Sequence, residues 1–194
     1  MAALITSLNN GSQKIPGEYA VGYGVAVNRM PAPIVGEQTT GGIAPGLFVC
    51  RDLTSTDMNT VYGLDKLGDT ATVENVVGVC VRAKADYAAG TIALADMADY
   101  FYAAGDVIDV QTDQKGYINV WAGTAITDQT KLFVATVTAT VSGVVIPAGS
   151  LVAQGTTACS PLDITSIAGF SPDQGIFSVA QGDIIGIKLS ILSA

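Results

Sequence analysis

Along most of the chain, apolar and polar positions alternate with a period of two. In the closing segment GDIIGIKLSIL, Ile185, Ile187, Leu189 and Ile191 fall on one face, and Ile184, Gly186, Lys188 and Ser190 on the other. KLFVATVTATV separates Phe133, Ala135, Val137, Ala139 and Val141 from Leu132, Val134 and three threonines. VVGVCVR puts Val77, Val79 and Val81 on one face and Cys80 on the other. Successive side chains of a strand point to opposite faces, so each run predicts a strand with one buried and one wetter side. In DVIDVQTDQKGYINVW the alternation continues on both sides of a Gly-ended turn. That predicts a hairpin turning over 112–116, with Ile118 and Val120 on the returning strand. Helical signals are thin: 92–101 and 55–67 suit one or two turns each, and neither has a capped apolar stripe. The expected fold class is all-β: an antiparallel β-barrel or sandwich with Gly/Pro-rich turns and at most one or two short helices.

Punctuation between the strands repeats. AAGDVIDVQ (103–111) and AQGDIIGIK (180–188) share a small-or-polar residue, Gly, Asp and β-branched residues; APGLFV and PAGSLV follow the same idea. Gly supplies the positive φ of a tight turn, Asp can bond the turn backbone, and the apolar residues open a strand. The repeat therefore reads as the way this chain begins strands, and it marks no ligand site.

The first forty-odd residues break the pattern. Pro16, Pro31, Pro33 and Pro45 interrupt any long strand, yet Ile5, Leu8, Ile15, Tyr19, Tyr23 and Val25 are too apolar for a free tail. The reading is an extended N-terminal arm over 1–24 that lies on another surface, followed by a β-barrel or sandwich body over 25–194, in one or two subdomains. From Tyr19 onward, a first strand of the body fits equally well. With the arm as docking element, Ile5, Leu8, Ile15 and Tyr19 are the candidate contacts, and the body is expected to fold without residues 1–18.

Composition narrows the function. The 194 residues are 49% apolar and 13% charged, which suits a protein that covers its surface by association. No apolar run approaches the ~20 residues of a membrane helix, and the start lacks the marks of a signal peptide. The expectation is a non-secreted chain with no membrane partner. Nine basic residues against seventeen acidic ones give −8, and the basic ones are scattered. A nucleic-acid partner is not expected without grouped positive charge.

The absence of histidine removes His-based triads and most zinc and iron sites. Cys50, Cys80 and Cys159 are widely spaced and odd in number, which suits reduced structural thiols. The acids Asp96, Asp99, Asp106, Asp109 and Asp113 cluster in sequence. Their spacing misses the calcium-loop pattern, and no partner is evident that would split their pKa values for hydrolysis. Solvated acids are the favoured reading, with no cofactor, no metal and no catalytic residue expected.

Against this background YFYAAGDVIDVQTDQKGYINVWAG resembles the turn-strand-turn-strand unit of bacteriophage head cement (capsid decoration) proteins. VVGVCVRAKADYAAGT, IPAGSLVAQGT and FSVAQGDIIGIKLS are similar to that family's successive units and its closing strand. The resemblance spans roughly residue 76 to the end and rests on spacing and turn type. It implies a β-rich structural virion protein without catalytic residues. Such a protein is made in the host cytoplasm, sits on the outer capsid surface as a homo-oligomer, often a homotrimer, and binds the major capsid protein. A tail or fibre protein, or a carbohydrate-binding β-sandwich with acids near Asp106 and Asp109, are the alternatives.

Overall fold

A computed structural model of the chain describes residues 17, 28–33, 43–51, 64–81, 102, 107–113, 117–170 and 179–190. Thirteen short strands carry them: β1 (Asn28–Pro33), β2 (Phe48–Arg51), β3 (Leu64–Lys66), β4 (Val76–Cys80), β5 (Val107–Asp113), β6 (Ile118–Trp121), β7 (Phe133–Ala135), β8 (Ala139–Val141), β9 (Val144–Ile146), β10 (Leu151–Val152), β11 (Pro161–Asp163), β12 (Ala168–Phe170) and β13 (Ile184–Leu189). They form sheets of order β1-β5-β4-β2-β3, β10-β7-β11 and β12-β13-β6, plus the hairpin β8-β9. Helical structure among the described residues is limited to single 3₁₀ turns at Val73–Asn75 and Thr157–Cys159. The fold is all-β and antiparallel within its sheets, as the alternation predicts, and no barrel closes among the described residues.

The closing strand sends its alternate residues to opposite sides, but within β13 the face read as wetter is buried except at Lys188, and Ile191 lies outside the described residues. Ile185, Ile187 and Leu189 enter the main core cluster with Phe48, Val79, Ile118, Val120, Val134 and Leu151, while Lys188 is exposed. Ile184 faces a smaller cluster with Ala44, Leu47 and Trp121.

Several expectations need correction. The hairpin over 112–116 does not form: β5 pairs with β1 and β4, whereas β6 pairs with β13. All four β6 residues are buried, so β6 has no wet face to present as half of a surface hairpin. The run 131–141 keeps its two faces but breaks into β7 and β8. The break spends its threonines on backbone groups: Thr136 Oγ1 donates to Ser160 O (2.9 Å), and Thr138 Oγ1 accepts from Ala148 N–H (3.1 Å). Hydroxyls that satisfy loop backbone in this way compete with the strand ladder.

In β4, Val79 and Val81 face the main core and Cys80 the opposite cluster, as read, but Val77 packs with Cys80. The register slips where Cys50 faces Val76 and Val49 faces Gly78, and a bulge of this kind flips a side chain to the other face. The prolines at 31 and 33 lie inside a six-residue strand. Two residues apart, they share one phase of the ladder. On β1, at the edge of its sheet, that phase can face away from β5, where no N–H is needed. At the end of the 55–67 helix candidate, Leu64–Lys66 is a strand paired with β2. The 92–101 candidate lies outside the described residues.

The strand-opening turns are built alike. In Ala44–Leu47, Pro147–Ser150 and Ala180–Asp183, the fourth N–H donates to the first carbonyl, at 3.2 Å in each case. The third residue is Gly46, Gly149 or Gly182, with φ of 82°, 92° and 86°. A positive φ at the third position alone is the type II arrangement, which glycine adopts without strain. The Asp of the last turn does what its sequence suggests: Asp183 Oδ2 accepts from Ala180 N–H at 2.7 Å. The matching positions 103–106 lie outside the described residues, though β5 begins directly after them.

Candidate functional site

Each turn is also fastened sideways, a feature that the sequence reading did not anticipate. Gly46 N–H donates to Cys80 O (2.9 Å), and Cys80 N–H donates to Leu47 O (2.9 Å). Gly149 exchanges the same bonds with Ala135 (2.8 Å), which donates to Ser150 O (2.9 Å). Gly182 does so with Ala122 (2.7 Å), which donates to Asp183 O (2.8 Å). The receiving residues are small and fully buried. Every turn thus continues the ladder of a neighbouring strand and ties one element to the next. The strand that follows the first turn also meets the second, since Phe48 N–H at the start of β2 donates to Gly149 O at 3.0 Å.

A second feature is the outer edge of β6. Residues 118 and 120 face β13, and Ala122 is bonded to the turn before it, so the intervening residues 119 and 121 point away. There Trp121 N–H donates to Gly46 O (3.4 Å) and Trp121 Nε1–H to Pro45 O (3.3 Å). Asn119 O accepts from Gly17 N–H at 2.8 Å. Gly17 is buried and sits between two of the candidate contacts, Ile15 and Tyr19. Ile5, Leu8, Ile15 and Tyr19 themselves lie outside the described residues.

Of the acidic cluster, Asp109 is a half-buried residue within β5 rather than a turn acid, Asp113 ends that strand, and Asp96, Asp99 and Asp106 lie outside the described residues. Among the described residues Glu74, Asp128 and Asp163 are held below the usual carboxylate range, each chiefly by hydrogen bonding to a threonine two positions away. Thr130 donates to Asp128 Oδ1 from both N–H (2.9 Å) and Oγ1 (2.6 Å), and this lowers Asp128 most. Asp163 is lowered by Thr165 in the same manner. Such acids stay ionised, the opposite of what a general acid requires. Asp128 also borders a cleft of about 170 Å³ lined with Lys131, Phe133, Val152 and Gln154. That is below the ~300 Å³ of ordinary ligand pockets.

Cys50, Cys80 and Cys159 are buried thiols, and Cys50 Sγ donates to Lys66 O at 3.2 Å. Burial pushes the Cys80 thiol far up, with a further contribution from the charge of Asp109, and burial also raises Cys159. Because the thiolate is the reactive form, these groups are inert in the folded protein. All three thiols should resist iodoacetamide at pH 8 and gain three adducts together in denaturant, as read by intact mass. A folded pKa above the unfolded value of 9.0 favours the neutral thiol in the fold. The linked stability is therefore present below pH ~9 and falls as pH rises beyond it, where the unfolded chain ionises first.

No protein-family model matches the chain, and no curated protein matches it.

Proposed function

We propose that this chain is a structural virion protein that binds the lattice of a major capsid protein and stabilises the head of a tailed phage. The observation that carries the reading is the cross-bracing of the β-body: three like turns, each locked by two hydrogen bonds to a buried residue of another strand. A body whose connections are themselves laddered resists local opening, and a clamp that holds a shell together under internal pressure needs that property. The displaced carboxylates sit in solvated turns as fixed anions, and the thiols are sealed, so the described surface is suited to contact rather than to chemistry. The resemblance of its turn-strand units to head cement proteins points the same way. On this reading the chain acts as a homo-oligomer, three copies being the arrangement the resemblance implies, on the outer face of the virion. The N-terminal segment, with Ile5, Leu8, Ile15 and Tyr19 as anchors, supplies the attachment.

The test is to add purified protein to empty, expanded shells of the phage that encodes it. Saturable co-sedimentation, with a rise in the disruption temperature of the shells, is the expected result. Protein that stays in the supernatant at micromolar concentration, leaving shell stability unchanged, overturns the reading.

A further inference from the structure

We infer that the outer edge of β6 is the seat of the chain's own N-terminal segment, fastened at Gly17, so that only residues 1–16 extend beyond the fastening. Three observations converge on this edge. First, β6 is an edge strand of β12-β13-β6, and its outward phase would present bare backbone groups unless something covers them. Turn 44–47 covers Trp121, and Gly17 covers Asn119. Second, Gly17 is buried and holds φ at 71°, a left-handed conformation that turns the chain sharply at the contact. Third, Asn119 is 3% exposed, and its side-chain Oδ1 has no hydrogen-bond partner among the described residues. A buried carboxamide oxygen left bare is costly, and Gly17 already brings the N-terminal segment to the backbone of this same residue.

The occupant of the edge is therefore a piece of this polypeptide, held backbone to backbone at Gly17. It also redraws the arm. Ile15 and Tyr19 flank the fastened residue in the sequence. Where the capsid reading holds, Ile5 and Leu8 are the residues left for a partner, within about 43 Å and 32 Å of Gly17 at full extension. The fastening needs no shell to be tested, so it stands or falls apart from that reading.

Amide hydrogen exchange on the full chain decides it. The Gly17 amide should exchange at least 100-fold more slowly than those of residues 2–14. Two truncations give a second readout. Removing residues 2–14 should leave the melting temperature within about 1 °C of the full chain. Removing residues 2–20 should lower it by about 5 °C or more and promote self-association through the bared β6 edge, seen by light scattering. A Gly17 amide that exchanges as fast as its upstream neighbours overturns the inference. So does a 2–20 deletion that melts with the full chain and stays monodisperse to the same degree. Where the longer deletion does not fold, the exchange rate alone settles the matter.

Discussion

Replacing Ile187 by aspartate should abolish soluble folding. Ile187 is fully buried in β13, the central strand of its sheet, between Phe170 on one neighbour and Ile118 on the other. The change forfeits ~1.5–3 kcal/mol of apolar burial and places a carboxylate among the apolar side chains of the main core cluster, at a further cost of several kcal/mol. Against a total stability of ~5–15 kcal/mol, that leaves little or no folded population. Expression with inclusion-body partition, or a purified variant without a cooperative melt, is the expected result. A soluble variant with an unchanged melting curve would mean that the faces of β13 are reversed. Lys188→Asp is the matched control, since that side chain is exposed on the same strand.

Gly78→Ala should be nearly as damaging, through a different mechanism. A methyl group at residue 78 would collide with the backbone carbonyl oxygen of Gln111 and lie 2.8 Å from both Gln111 C and Val110 Cγ1. Backbone cannot swing aside as a flexible side chain does, so the collision has to part β4 from β5, or deepen the bulge already present beside Gly78. Overpacking of this severity reaches or exceeds the ~3 kcal/mol end of the usual range, or about 6–12 °C in melting temperature for a chain of this size. Gly169→Ala, where a new methyl group meets nothing within 4 Å, should stay near the wild-type value. If both variants melt together, the close approach of β4 and β5 at Gly78 is absent in solution.

What the sequence reveals follows from how local each determinant is. Faces are local: residues 185, 187 and 189 alternate because side chains of a strand must, and the core took them as the pattern requires. Turn type is local too, since a glycine preceding an apolar run is enough to set φ in 44–47, 147–150 and 180–183. Pairing partners are not local. Nothing in 107–121 says that β5 and β6 go to different sheets, because what decides it is the burial of β6 on both faces and its pairing with β13 about 65 positions later. The bulge that turns Val77 away from the main core, to the side of Cys80, depends likewise on Cys50 across the ladder.

The contact at Gly17 shows the same limit for the candidate site. Composition flags the segment around it as apolar and interrupted, but the acceptor is a carbonyl on Asn119, and backbone atoms carry no sequence signature. The burial of Asn119 within INVW was the one available hint, a polar residue between two that the alternation sends to the core.

The three bracing turns differ in one respect that bears on how the chain acquires its shape. The bond pairs join residues 135 and 149, 46 and 80, and 122 and 182, separations of 14, 34 and 60 positions. The entropy lost on closing a loop grows with the logarithm of its length, and contacts between near positions are made sooner than those between distant ones. The stretch from β7 to β10 is therefore expected to assemble first, together with the tight hairpin at Ser142 and Gly143, whose positive φ values fix its direction. Of these three joints the one between 122 and 182 closes last, so β13 is laid on β6 after the other two turns are braced. A chain stalled before that step would present β6 bare on both edges, the state in which it is most exposed to pairing with another copy of itself.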